Sequence, residues 1–220
     1  MKLIISLVQE SIHQIKKISP VLGLSYLLLL ALLASVAAIS EYFHIPVSKF
    51  TRDPTQILNG HPFTGILSNI GILFWCSTAA ICFFSAAIQW KSKRSESLKF
   101  LLFSGMISLL LLLDDLFLLH EIIFPKYLFL TETTVYLVYI FIIFIYLVKF
   151  KHDILKADYV LLYFALGFFS LSIFSDVFLM EENYIFLLED GFKLFGIVSW
   201  FLFFVRTCFG KTQEALDSNS

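Results

Sequence analysis

The sequence has 220 residues, of which 59% are hydrophobic and 15% are charged, and its formal net charge is −1. A chain of this length with so few polar residues cannot cover a soluble particle, so the composition excludes a water-soluble globular protein. The partner that the composition indicates is the lipid bilayer, and no nucleic-acid partner is predicted.

Six apolar runs are each about as long as a helix must be to cross the hydrocarbon of a bilayer. Their apolarity is continuous rather than alternating, which favours helices over barrel strands. The predicted fold class is therefore an all-α integral membrane protein, with one polytopic domain over 1–210 and a polar cytoplasmic tail at 211–220. The predicted spans are 20–40, 63–88, 98–121, 131–149, 158–180 and 185–207.

The segment before the first span has an amphipathic pattern. Ile5, Val8, Ile12 and Ile15 recur at helical spacing between polar residues, which predicts an interfacial helix on the inner membrane surface. An alternative interpretation is a long signal-peptide n-region with a cleavage site after Ala38. The first apolar run is long enough to remain as an anchor, so we favour the interfacial helix.

Basic residues predict the orientation of the chain. Twelve of the sixteen Lys and Arg residues fall on the side of the N-terminus and four on the other side. This positive-inside bias predicts a multi-pass protein with both termini in the cytoplasm. Eleven of the seventeen acidic residues then fall on the outer side or in the outer halves of the helices.

The third predicted span carries acidic residues inside the apolar stretch "LLLLLDDLFLLHE" at 109–121. Asp115 shares a helical stripe with Ser104, Ser108 and Leu111, and a serine-lined stripe typically faces neighbouring helices rather than lipid. A carboxylate within hydrocarbon is costly unless it has a partner. We therefore predict that Asp115 points into the bundle and has a functional or structural role there.

Other predicted spans bring acidic residues to the same end. Glu132 opens the fourth span, where it could simply complement the helix N-terminus. Glu189 and Lys193 align on the last span, and the alternative to a functional role is a self-neutralising ion pair. We predict an outward-facing polar pocket in which Asp115, Asp176, Glu189 and Lys193 are catalytic. Asp115 is expected to face Asp176 or the Glu189–Lys193 pair.

Histidines and further carboxylates on the same side suggest a metal. His44, His61 and His120, together with Asp114 and Glu121, are the predicted ligands of a divalent metal of unknown identity that would activate water. His44 also lies three residues after a glutamate, a spacing found in carboxylate metal sites. The cysteines are isolated along the sequence, which predicts neither a disulfide framework nor a thiolate metal site.

The stretch "LSNIGIL" in the second span, followed by a third span with aspartate and histidine, resembles the alkaline ceramidase family of membrane metal hydrolases. That family uses a serine, an aspartate and three histidines. The chain departs from it because the last span, "EDGFKLFGIVSWFLFF", has no histidine pair and because His120 follows the aspartates. We therefore assign no family from the sequence.

Three functions use such a pocket. The first is a metal-dependent, hydrolase-like membrane enzyme that acts on a lipid or another membrane-resident substrate. The second is an accessory or assembly subunit of a membrane complex, in which buried charges specify helix packing and a membrane protein is the partner. The third is a proton or cation transporter.

Overall fold

The computed structural model describes residues 2–52, 54–91, 95–178 and 183–217, and within these ranges the regular elements are helices, with no strand. The chain forms two compact units, Met1–Thr64 and Gly65–Ser220. Six of the described helices are long and apolar enough to cross a membrane. This confirms the predicted all-α, multi-pass membrane fold.

The first unit consists of one long helix and two short ones. Helix α1 (Lys2–Phe43) is continuous, and its window Tyr26–Phe43 has the length and apolarity of a membrane span. It ends where His44 adopts a left-handed conformation with φ of 53°. The interfacial placement of the segment before the span stays a prediction. The short helices that follow are α2 (Ser48–Thr51) and α3 (Pro54–Ile57).

The second unit contains five helices that contribute candidate spans and several short connecting elements. The five helices are α4 (Ile66–Lys91), α5 (Ser95–Phe117), α7 (Glu132–Lys149), α9 (Tyr159–Phe178) and α10 (Asn183–Asp217). Between them lie α6 (Phe124–Leu128), which begins after a π-helical turn at Leu119–Ile123, and α8 (Lys151–Leu155).

Of the helix ends that differ from the sequence prediction, two bear on the site and on the predicted tail. The third span, predicted over 98–121, ends at Phe117 because Leu118 adopts a left-handed conformation with φ of 52°. The residues of the predicted tail between 211 and 217 are helical, because α10 continues to Asp217. Lys, Gln and Glu are good helix formers, so polar composition there marks the end of the apolar run but not the end of the helix.

The core of the second unit lies where α4, α5, α9 and α10 meet. Trp75, Phe100, Trp200 and Phe204 are almost completely buried in it. Polar side chains also join helices: the Trp200 indole donates to the Ser108 hydroxyl at 3.0 Å, and the hydroxyls of Ser104 and Tyr146 lie 2.7 Å apart. Close packing and such hydrogen bonds hold helices together in lipid, where apolar burial between helices is not a driving force.

Helices α9 and α10 approach each other at Gly196. A Cβ atom at Gly196 would lie 2.5 Å from the ring of Phe169, whereas a Cβ at Gly167 would have nothing within 4 Å. Gly196→Ala is therefore expected to lower the free energy of unfolding by about 1–3 kcal/mol, because the ring has to move. Gly167→Ala, the matched control, is expected to change it by less than about 1 kcal/mol. Thermal unfolding in detergent measures both, and equal stabilities would contradict this packing.

Candidate functional site

The predicted site residues of the second unit gather at one end of it, where α5 ends, α7 begins and α9 ends. They share electrostatic or hydrogen-bonding contacts with one another. We call their carboxylates, together with that of Glu132, the acidic cluster. Its members are Asp114, Asp115, Glu121, Glu132, Asp176 and Glu189.

Asp115 faces the core, and both of its carboxylate oxygens have a partner there. Its Oδ1 lies 2.8 Å from Lys193 Nζ on α10, and its Oδ2 accepts a hydrogen bond of 2.9 Å from the Trp75 indole on α4. Only 8% of the Asp115 side chain is exposed. Of the two partners considered from the sequence, the structure places Lys193 on Asp115. The carboxylate thus joins α5 to α4 and α10.

Asp114 faces a different set of donors. Its Oδ2 lies 2.5 Å from Nδ1 of His120, and its Oδ1 accepts from the backbone N–H of His120 at 3.0 Å and from the Tyr139 hydroxyl at 2.7 Å. Asp114 and His120 are both buried. The left-handed residue Leu118 ends α5 and returns the chain toward Asp114, which brings His120 into contact. The result is a carboxylate–histidine pair with a defined ring orientation.

The other ring nitrogen of His120 points toward the more open side of the site. Its Nε2 lies 3.6 Å from Oε1 of Glu121 and 4.0 Å from Oε1 of Glu132, and the side chains of both glutamates are nearly half-exposed. The ring of Tyr136 contacts the imidazole, with centroids 5.2 Å apart. The imidazole itself is buried, with 7% of its side chain exposed.

Tyr136 connects two carboxylates on different helices. Its hydroxyl lies 3.1 Å from Oδ2 of Asp176 on α9 and 3.3 Å from Oε1 of Glu132 on α7. A phenol has a single proton, so Tyr136 donates to only one of these carboxylates at a time. Glu132 is thus part of the site as well as a first-turn acid behind the Thr131 N-cap of α7.

Negative charge exceeds positive charge in this region. Glu189 is half-buried on α10, one turn before Lys193, and it interacts electrostatically with Asp176, Glu121 and Lys193. Six carboxylates of the acidic cluster thus face the cations Lys193 and, when protonated, His120. The region is suited to bind cations or protons.

His120 lies between two membrane spans, in the π-helical turn. Burial lowers its pKa, but the hydrogen bond with Asp114 and the negative charge of that carboxylate raise it more. The net effect is a pKa above the ordinary value of 6.5. The Asp114 contact thus favours the imidazolium form near neutral pH.

His44 and His61 belong to the first unit. His44 follows the end of α1, and Nδ1 of His61 accepts a hydrogen bond from the backbone N–H of Phe63 at 3.3 Å. Their participation in a metal site with His120 stays a prediction. In the part of the chain that the structure describes, no group of three or more His, Cys, Asp or Glu side chains is placed to hold a metal ion.

Sequence reasoning missed Trp75 and the contact between Asp114 and His120. Trp75 lies in an apolar run without any signal that marks its indole as a donor to Asp115. Tyr136 and Tyr139 did carry a signal, since they share a helical stripe with Glu132. The contact between Asp114 and His120 could not be predicted, because a helix that continues to residue 121 would place the imidazole on a different face from Asp114.

The model of the DUF8692 family, described as a domain of unknown function, matches residues 22–207. The chain belongs to this family. The matched residues of this DUF8692 chain include the whole acidic cluster, His120 and Lys193. No curated protein and no solved structure matches the chain.

The buried ion pair yields a prediction for stability. Lys193→Met leaves Asp115 with Trp75 as its remaining donor and is expected to cost about 1–3 kcal/mol, less than for a fully buried pair because Lys193 is 34% exposed. The double variant Asp115→Asn with Lys193→Met should lose less than the sum of the single changes. Chemical unfolding in detergent measures this, with Lys151→Met on α8 as the control. Strict additivity would contradict the pairing.

The raised pKa of His120 predicts a pH-dependent stability. The folded chain binds this proton more tightly than the unfolded chain, so the contribution is complete below pH 6.5 and is lost as the pH rises through the raised pKa. Thermal unfolding temperatures of the wild type should therefore fall over that range. Asp114→Asn should flatten this dependence, because it removes the charge that raises the pKa. Parallel pH profiles for the two proteins would contradict the prediction.

Proposed function

We propose that this DUF8692 protein is a membrane enzyme that hydrolyses a lipid or another membrane-resident substrate, with His120 as the proton-transferring residue. The observation that carries the proposal is the buried Asp114–His120 pair, whose Nε2 is turned toward the open side of the site. Histidine is the side chain that most often acts as a general acid or base in enzymes, and the contact with Asp114 holds the ring of His120 in place.

The chemistry follows from the arrangement of the pair. The base is the neutral form of His120, which is populated as the pH rises through the raised pKa. With its proton on Nδ1 toward Asp114, it takes a proton from water at Nε2 while the water oxygen attacks an ester or amide carbonyl carbon. The imidazolium then returns that proton to the leaving alcohol or amine, and the bond from the carbonyl carbon to the leaving group breaks. Asp114 orients the ring and stabilises the imidazolium, as the carboxylate of a catalytic triad does.

The proposal gives the predicted catalytic residues different roles. Asp115 has both oxygens engaged, by Lys193 and by Trp75, so we assign this pair to positioning α5, which carries the adjacent Asp114. Asp176 and Glu189 lie on the more open side and are the candidates for contact with substrate. The proposed cytoplasmic termini would place this site on the outer side of the membrane.

In a second form of the proposal, the enzyme depends on a divalent metal. It would bind Nε2 of His120 with Glu121 and Glu132, and the Asp114 contact at Nδ1 is the kind of support that metal-ligating histidines typically have. Among the residues that the structure describes, no such group is placed to hold a metal ion, so this form requires the side chains of Glu121 and Glu132 to move toward His120.

Cation transport is the second candidate function, because buried polar contacts continue beyond Asp115 toward the other end of the second unit. They run through Trp200 with Ser108 and through Ser104 with Tyr146, and at the far end Lys211 Nζ lies 2.8 Å from Asp153 Oδ1. The third possibility, an accessory subunit, is supported by the helix-joining role of Asp115. Proton or cation flux into proteoliposomes would favour transport over hydrolysis.

If the protein hydrolyses a lipid, oxygen from labelled water should appear in the released acid. The purified protein in nanodiscs of phosphatidylethanolamine, phosphatidylglycerol and an N-acyl sphingoid lipid would be incubated in ¹⁸O-labelled water, and released acids would be analysed by mass spectrometry. His120→Gln and Asp114→Asn are expected to lower ¹⁸O incorporation by about 10²- to 10⁴-fold. His152→Gln, which changes an exposed histidine on α8, is the matched control and should retain the wild-type rate.

Equal rates for His120→Gln and the wild type would contradict the proposal. Metal content of the same samples separates its two forms. Stoichiometric metal that disappears in His120→Gln would establish the metal-dependent form, and full activity in metal-free protein would exclude it.

A further inference from the structure

An apolar cleft of about 470 Å³ lies between α7 and α9. Its walls include Ile140, Ile143 and Phe144 on α7 and Phe169, Ile173 and Phe174 on α9. Ser170 is the polar residue of the lining, and its hydroxyl is already bonded to the carbonyl of Leu166 at 2.8 Å. The Ser170 hydroxyl therefore does not need a hydrogen bond from a ligand in the cleft.

The cleft lies next to the acidic cluster along both helices. On α7, Tyr136 of the site lies one turn before Ile140 of the cleft lining. On α9, Asp176 lies one turn beyond Ile173. The hydrogen bond between Tyr136 and Asp176 joins the two helices at this end, which we call the closed end of the cleft.

The position of the cleft restricts its occupant. Its lining residues lie within the candidate spans Glu132–Lys149 and Tyr159–Asp176, at the depth of the hydrocarbon. No water is available at that depth, so the hydrogen-bonding groups of an occupant would have to pair with one another. A helix is about 10 Å wide, too wide for the end at which a 3.1 Å hydrogen bond joins α7 to α9. A hydrocarbon chain fits, and the volume is in the range of small-ligand sites.

The charges at the closed end favour a positively charged head group. Glu132 and Asp176 share the single proton of Tyr136, while the nearby cation Lys193 is engaged by Asp115. An amine placed between the two carboxylates would compensate their charge and could also contact the aromatic face of Tyr136. It would lie beside Glu132, whose Oε1 is 4.0 Å from Nε2 of His120.

We propose that the cleft binds the hydrocarbon chain of an amphiphile whose amine head group lies between Glu132 and Asp176. This inference rests on the proposed function and names its substrate class, a membrane-resident amphiphile with a cationic head. The bond to be hydrolysed would lie next to the head group, within reach of His120.

Photo-crosslinking in nanodiscs tests the binding site directly. The probes are a long-chain alkylamine with a photoactivatable group in its chain, and the alcohol and alkyl sulfate of the same chain. The amine is expected to label α7 and α9 peptides at least about tenfold more than the sulfate does. Ile173→Trp fills the cleft and should reduce amine labelling by about tenfold. Ile143→Phe, a smaller intrusion, should act in the same direction.

Phe141→Trp is the matched control, because Phe141 is an exposed residue of α7 that is not part of the cleft lining. It should leave labelling unchanged. The double variant Glu132→Gln with Asp176→Asn should remove the preference for amine over alcohol and leave alcohol labelling in place. Thermal unfolding of every variant confirms that the fold is intact.

Equal labelling by the three probes would overturn the amine head group, and labelling that ignores Ile173→Trp would overturn the cleft. Crosslinks between two copies of the chain through this surface would assign the cleft to self-association instead. A failure of the proposed function can be told apart from a failure of the binding site. His120→Gln should keep amine labelling, because His120 is not part of the cleft. If the wild type is labelled but hydrolyses nothing, only the proposed hydrolysis is contradicted. Hydrolysis that persists when Ile173→Trp abolishes labelling contradicts only the binding site.

Discussion

A carboxylate placed among apolar helices requires donors for both of its oxygens, and Asp115 has them in Lys193 and Trp75. These donors come from α10 and α4, so this one side chain connects three helices that also share the aromatic core. Lys193 and the Trp75 indole can both contact Asp115 only when α10 and α4 have a matching position and rotation relative to α5. The relative positions of α4, α5 and α10 are thus coupled to the contacts of this one carboxylate.

The neighbouring aspartate depends on the same arrangement in a different way. Adjacent residues on a helix point about 100° apart, so orienting Asp115 toward the core turns Asp114 toward α7 and the returning chain. There Tyr139 and His120 supply its donors. The two consecutive aspartates therefore have different roles: Asp115 holds helices together, and Asp114 raises the pKa of the His120 imidazole.

The sequence was sufficient for the broad fold and for part of the site. Apolar run lengths predict the spans, because the thickness of hydrocarbon fixes them, and the serine stripe predicts the inward direction of Asp115. It was insufficient where one residue changes the path of the chain. Leu118 is neither glycine nor asparagine, the residues that usually mark a left-handed position, so the sequence predicts a helix through residue 121. Such a helix would place His120 and Asp114 on different faces. The contact from Trp75 depends on tertiary packing, which local patterns do not encode.

The hydroxyl of Tyr136 lies within hydrogen-bonding distance of two carboxylates, Glu132 on its own helix and Asp176 on α9. Through this side chain, only the contact with Asp176 links α7 to α9. The same phenol group thus belongs both to the acidic cluster and to the contact between the two helices that border the cleft. A change at Tyr136 would therefore alter the acidic cluster and the helix contact beside the cleft together.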